Sequence, residues 1–371
     1  YIKVDERWYI WPELYVEIAD RNFNSWWKKR EWSRVNYKIG VSHVNFRGRR
    51  EEIDIQAQTG YEEEYVIIYN NPYLNNDKTL GLRLSANYKA YHTLDYKSLD
   101  NQLLYSTLPD ENIRNNLEIN LSLTYRPAIH VSHQVTAGYY QYNMHDTLLD
   151  LNERYAPEKN VSYPYFSYIF KADYRDYKAY PLKGFYGDFA IRKFGLPNND
   201  VDHTLIKGTF RKYFSLTNNW YFATGLVAQN RLGAKLPYFL AEERGMGYGR
   251  DFVRGMEYYV FNQTDWIYAK SNLKRTVLPQ HVFQFDFLEN KYFGQKFSKV
   301  PLEIFANVFY DAGYVAGSVQ DEKANALTNT WQHGFGLGLD FVTYYDKVLR
   351  TELSWNHKGE YSLFFHMIAP I

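Results

Sequence analysis

The chain has 371 residues, room for two or three soluble domains or for one large sheet, and its 43 basic and 42 acidic residues leave a net charge of +1. That balance gives no support to nucleic acid as a partner, and the absence of cysteine excludes disulfides and thiolate metal sites. Aromatic residues reach 19%, with 37 tyrosines, yet no run approaches the roughly 20 apolar residues of a membrane helix.

The chain begins at Tyr1, without Met and without a signal peptide, so a preceding part is expected. From there a period of two dominates. Sixteen segments alternate: 7–19, 33–45, 51–60, 63–71, 79–91, 116–126, 132–142, 163–174, 183–193, 203–214, 219–231, 264–277, 281–290, 302–311, 333–344 and 348–367. The last divides at the turn Lys358-Gly359, and 51–60 with 63–71 reads as a hairpin. Within 116–126, Leu117, Ile119, Leu121, Leu123 and Tyr125 share one face, and Glu118, Asn120, Ser122, Thr124 and Arg126 the other. A helix would scatter those polar groups around its circumference; a strand sorts them. Leu82, Leu84, Ala86 and Tyr88 stand likewise against Arg83, Ser85, Asn87 and Lys89. Leu349, Leu353 and Trp355 stand against Arg350, Glu352, Ser354 and Asn356.

The connections read as asymmetric, with tight turns at Tyr61-Glu62, Lys347 and Lys358-Gly359 expected at the periplasmic end and long polar connections at 92–115, 143–162, 232–263 and 312–332 at the external end. Low mean hydropathy fits strands that send only every second side chain to lipid, and Tyr and Trp suit the water–lipid boundary. A soluble β-sandwich also alternates, but with fewer strands and less aromatic density. The expectation is an all-β fold: a closed antiparallel transmembrane β-barrel of about 16 strands, one domain over residues 1–371, with outer-membrane lipids as its surroundings.

Several short motifs exceed what a barrel needs. Val253-Arg254-Gly255-Met256 follows the glycine-rich Gly245-Met246-Gly247-Tyr248-Gly249. Phe309-Tyr310-Asp311-Ala312-Gly313 comes next, and Gly334-Phe335-Gly336-Leu337-Gly338-Leu339-Asp340 opens a late strand. Upstream, Asp173-Tyr174-Arg175-Asp176 precedes Pro181-Leu182-Lys183-Gly184. In this order the motifs resemble the BamA/TamA superfamily of Gram-negative outer-membrane assembly and translocation barrels, the bacterial surface antigen family. The resemblance covers nearly the whole chain.

It implies that the sixth external loop folds into the lumen and sets Arg254 against Asp311, with Val253, Gly255, Phe309 and Gly313 completing a locking motif. A guanidinium fork matches a carboxylate with two hydrogen bonds, and Phe309 and Asp311, two apart, share a strand face. By count Val253-Arg254-Gly255 falls between the eleventh and twelfth segments and Phe309 on the fourteenth, so one early segment is expected to be an extra count or a merged pair. Departures from the family pattern are Met256 for an aromatic and Lys274 where relatives place a glutamate; Lys274 cannot accept from the arginine. That leaves Glu257 and Glu303 as candidate second acids. The end, Ala369-Pro370-Ile371, is not aromatic.

The resemblance also implies periplasmic repeat domains upstream, absent from these residues, and a seam between first and last strands. Trp8, Tyr9, Ile10 and Pro12 would line one side and Leu363, Phe364 and Phe365 the other. Pro12 removes one backbone donor from the first strand. The implied function is folding, insertion or translocation of outer-membrane proteins, with unfolded clients and periplasmic or lipoprotein accessory subunits as partners. The alternative is a secretion pore or passive porin. Catalysis finds no motif. His43, His130, His133 and His333 read as strand or loop residues, Glu62-Glu63-Glu64 as a solvated turn, and Ser132 and His133 point to opposite faces. No enzyme activity, metal or cofactor is expected.

Overall fold

The computed structural model describes residues 8–233, 236–242, 244–284, 298–344 and 347–367. In chain order the elements are β1 (Ile10–Ile18), α1 (Phe23–Lys29), β2 (Val35–Phe46), β3 (Glu51–Gly60), β4 (Glu62–Asn71), β5 (Leu80–Tyr91), β6 (Thr93–Leu99) and β7 (Gln102–Thr107). Then come β8 (Arg114–Ala128), β9 (Val131–Met144), α2 (Asp146–Leu151), β10 (Asn160–Asp173), β11 (Gly184–Gly195), β12 (Asp202–Ser215), β13 (Trp220–Leu232) and α3 (Tyr238–Ala241). The last are β14 (Asp265–Gln284), β15 (Lys299–Ala316), α4 (Val319–Ala324), β16 (Trp331–Thr343), β17 (Lys347–Asn356) and β18 (Tyr361–His366). Sixteen strands form one sheet in sequence order from β1 to β18, with β6 and β7 set apart as a hairpin of their own. No helix among the described residues is long and apolar enough to cross a membrane.

Chain contacts divide the structure into two units. The first comprises residues 1–172, 189–207 and 230–244. Here β8 carries the alternation into three dimensions: Ile119, Leu121, Leu123 and Tyr125 are exposed while Asn116 and Ser122 are buried. That is the reverse of a water-soluble sheet, and it is the pattern of a sheet whose outer face meets lipid. On the buried side, Tyr142 stacks parallel to Tyr163 and edge-on to Phe239, the latter on α3. Arg114 pairs with Glu242 at 2.6 Å, and its Nη1 also donates to the Tyr155 hydroxyl at 2.8 Å. The β1–β2 pairing runs from Ile10↔His43 to Ile18↔Val35, with Pro12 opposite Val41.

The second unit comprises residues 173–188, 208–229 and 245–371. It repeats the inverted pattern on β16 and β17, where Phe335, Leu337, Leu339, Leu349 and Leu353 are exposed and Asp340, Arg350, Glu352 and Ser354 are fully buried. Strands β14 and β15 pair over nearly their full length, from Asp265↔Ala316 to Gln284↔Lys299.

Four expectations need correction. Segments 264–277 and 281–290 are not two strands: β14 runs through both as far as Gln284, with register shifts at Thr276/Leu278 and Leu278/His281. Pro279 interrupts the sequence pattern, and a bulge absorbs the residue that cannot donate to the ladder. The extra count is therefore late, not early, and β15 is the thirteenth strand of the sheet. Residues 285–290 lie outside the described residues, as does Ala369-Pro370-Ile371.

Secondly, the long connections, read only as polar, carry elements of their own: 92–115 holds the β6–β7 hairpin, and α2 lies within 143–162. Thirdly, Glu62-Glu63-Glu64 opens β4, and Glu64 makes cross-strand ion pairs to Lys38 at 3.1 Å and Lys89 at 3.3 Å. Fourthly, short connections do not all lie at one end. Successive antiparallel strands alternate direction, so the β3–β4 turn shares its end with the 92–113 connection. The β17–β18 turn shares its end with the 245–264 connection.

Candidate functional site

The connection preceding β14 folds on itself before it meets the sheet. Met246 bridges Phe261 and Tyr248 bridges Asp251, and Met246, Val253, Met256 and Phe261 form an apolar cluster with Trp266, Tyr268 and Val315. At its tip Gly255 takes φ +84, a left-handed value that a side chain resists, and its carbonyl accepts from Asn356 Nδ2 at 3.0 Å.

Arg254, beside it, is fully buried. Its Nη2 and Nε donate to the two carboxylate oxygens of Asp311, at 2.6 and 2.8 Å, and its backbone N–H adds a third bond to Oδ2 at 3.1 Å. Nη2 also reaches the Ser271 carbonyl at 3.1 Å. The guanidinium lies over the Phe309 ring, 3.9 Å from its centroid, a cation–π contact worth about 2 kcal/mol when desolvated. Phe309 and Asp311 are buried on one face of β15 while Val308 and Tyr310 on the other are exposed.

The second acid is neither Glu257 nor Glu303. It is Glu352 on β17, whose Oε1 accepts from Arg254 Nη1 at 3.2 Å and from Arg350 Nη1 at 3.4 Å. Arg350 in turn forks onto Asp340, which also accepts from the Tyr180 hydroxyl at 2.5 Å and Asn307 Nδ2 at 3.0 Å. The period-two register of β17 already put Arg350 and Glu352 on one face; what the sequence lacked was the distance from Glu352 to a residue 98 positions earlier. Lys274, in the place of the absent glutamate, is buried with its ammonium 4.2 Å from the centroid of the Tyr180 ring.

Three glycines of β16 make room for this arrangement. A Cβ on Gly334 would strike the Arg254 carbonyl, one on Gly336 would sit 2.7 Å from Phe309 Cζ, and one on Gly338 would sit 2.7 Å from Asn307 Nδ2. Being two apart, all three share the buried face. Gly313 does the same for Val253, at 2.7 Å. The glycine run read from the sequence is thus a lane, free of side chains, against which the loop and the buried side chains of β15 lie.

The loop also meets the last strand. Phe364 is buried and tilts against Tyr258 with ring centroids 5.2 Å apart, while Leu363 and Phe365 are exposed. His366 Nε2 lies 3.4 Å from Glu257 Oε1 and 3.4 Å from Glu352 Oε2. These three residues bring one ligand-type atom each within 4.8 Å of one another; the same atoms make the ion pairs just given. At the β17–β18 turn, Glu360 accepts from Tyr259 at 2.7 Å, and Lys358 donates to the Tyr259 hydroxyl at 2.7 Å. The Asn356 bond, with Tyr259 and Lys358, holds the Glu360 carboxyl below its ordinary value. Trp8, Tyr9, Ile10 and Pro12 belong to the first unit, where Trp8 and Ile10 are exposed and the Tyr9 carbonyl accepts from the Val44 amide at 2.9 Å.

The fold has solved counterparts. BamA from Haemophilus ducreyi lacking POTRA domains 1–3 superposes with a TM-score of 0.62 at 15% identity, over 90% of this chain and 66% of that one. CdiB from Escherichia coli gives 0.54 at 10% identity over 99% and 62%, and CdiB from Acinetobacter baumannii 0.52 at 12% over 96% and 64%. The chain thus spans just under two thirds of each. No curated protein matches it in sequence. Residues 45–248, more than half of the chain, match the Omp85 superfamily domain, whose members are outer-membrane β-barrels. The chain belongs to the Omp85 superfamily.

Proposed function

We propose that this chain is the closed membrane barrel of an outer-membrane assembly protein, and that it helps other outer-membrane proteins fold and insert at a seam between β1 and β18. The observation that carries the reading is the Arg254 clamp. One buried guanidinium joins the loop to Asp311 on β15 and Glu352 on β17, and the same loop touches β18 through Tyr258–Phe364 and Glu257–His366. The state of the loop is therefore mechanically linked to the last strand. In this reading the loop occupies the lumen, and Val253, Gly255, Phe309 and Gly313 shape its seat.

At the seam, backbone donors and acceptors of an edge strand template an incoming strand, which makes recognition general across clients. Pro12 weakens that edge by one donor, and β18 is only six residues long. Unfolded outer-membrane proteins are the clients, accessory periplasmic or lipoprotein subunits the partners, and no covalent chemistry is required. The test uses the absence of cysteine. A single disulfide between Ile10–Leu14 and Leu363–Phe365 in the full-length protein is expected to abolish client insertion and to be relieved by reductant. Normal insertion by the oxidised form would refute the seam.

The competing reading is a secretion pore, with transport through the lumen. It predicts stable conductance in planar bilayers that rises when residues 245–263 are deleted; the insertase reading predicts that activity fails with that deletion whatever the conductance.

A further inference from the structure

We propose that the connection between β1 and β2 is a binding element for anionic, phosphate-bearing lipid headgroups, set beside the first strand. This rests on the outer-membrane reading above but concerns a surface that reading does not use. Asp20–Arg34 reads DRNFNSWWKKREWSR, with five basic residues against two acidic ones and four large aromatics. This stretch of fifteen residues carries three net positive charges, more than the +1 of the entire chain.

The segment is built, not loose. Asn22 caps α1 by accepting from the Ser25 amide at 2.8 Å, and Arg30 closes it in the left-handed conformation, φ 55. Trp26 is buried, donates its indole N–H to the Glu31 carbonyl at 3.0 Å, and meets Trp32 edge-on at 4.9 Å. Arg34 is buried over the Tyr105 ring, 4.5 Å from its centroid, and lies 3.9 Å from Asp20, which also pairs with Lys29 at 3.2 Å. Trp26, Arg34 and Asp20 thus fasten one side to the first unit.

The other side presents Trp27 at 54% exposure and Trp32 at 71%, with Lys28 and Arg30 exposed between them. Two exposed indoles are unfavourable in water, whereas indole rings settle at the level of lipid headgroups. Cations interleaved with them meet the phosphates there. The apolar surface is continuous with the strand: Leu14 and Val16 of β1 are 80% and 71% exposed. Strand alternation puts this connection at the same end of the first unit as the long 92–113 and 145–159 connections, hence in the outer leaflet. Anionic lipid gathered there would stand directly against the first strand.

Each basic residue near an anionic surface contributes roughly fivefold in affinity. The full chain, folded in zwitterionic detergent, is titrated with phosphatidylglycerol and, separately, phosphatidylcholine, and bound lipid is counted by native mass spectrometry. The wild type is expected to favour phosphatidylglycerol. K28Q/R30Q should weaken that binding roughly 30-fold and leave phosphatidylcholine unchanged, while W27S/W32S should weaken both lipids. Heat-modifiable migration verifies that each variant is folded, and insertion into phosphatidylcholine bilayers tests the membrane-barrel reading separately. Phosphatidylglycerol affinity within twofold of wild type in folded K28Q/R30Q overturns the proposal. So does equal affinity of the wild type for the two lipids, or loss of a soluble protein partner from both variants with lipid binding intact.

Discussion

Replacing Arg254 by alanine removes the two guanidinium bonds to Asp311, one each to Glu352 and the Ser271 carbonyl, and the Phe309 stack, and leaves only the bond from the backbone N–H to Asp311. Asp311 and Glu352 are both fully buried, so the larger cost is the carboxylate left without its cation. Removing one partner of a buried pair costs about 3–5 kcal/mol. If that loss falls on docking of the loop, amide exchange in residues 246–261 should accelerate by about two to three and a half orders of magnitude. Exchange of β8 and β9 amides serves as the internal control. Lysine at 254 restores charge but not the fork, so it should recover part of the protection. Asp311→Ala should resemble Arg254→Ala, and the double variant should cost well below the sum of the two. Loop exchange within threefold of wild type in Arg254→Ala, or additive single effects, would refute the clamp.

Gly336→Val should be among the most damaging changes of a small residue, because the new side chain meets both Phe309 and the β17 backbone; overpacking of this kind costs about 1–3 kcal/mol, read as loss of the heat-resistant folded band. Tyr180→Phe removes the hydroxyl that donates to Asp340, and a bond to a charged group is worth about 1.5–3 kcal/mol; the decrease should appear in chemical denaturation and vanish in an Asp340→Asn background. The Glu360 carboxyl is depressed in the folded state, so its contribution is present above the ordinary carboxylate value and lost as pH falls through the folded one. The group is largely exposed and the effect correspondingly small. Exchange at Tyr259 should rise at acid pH in the wild type and be independent of pH there in Glu360→Gln.

Strand identity was legible from sequence because strand side chains alternate with a period of two, and in a lipid-facing sheet that alternation is exposed apolar against buried polar. Leu349 to Asn356 announces both faces of β17 without reference to any other strand. The pairing of Arg254 with Asp311 was legible only through family resemblance, since nothing local links residues 57 apart. Where the pattern is locally broken, sequence reasoning failed in an intelligible way: Pro279 divided β14, and only the partner strand β15, pairing on both sides of the bulge, makes it one element. The second acid was misplaced for a different reason. Glu257 is close to Arg254 in sequence, but the loop turns at Gly255 and carries it to His366, leaving Glu352 to complete the site. The sequence by itself thus determined that these segments are strands and which face of each is apolar and exposed, because those are properties of single segments. Only the tertiary structure decided which buried charges meet, because that depends on the register of β15, β16 and β17 and on how closely a lane of glycines lets the loop approach them.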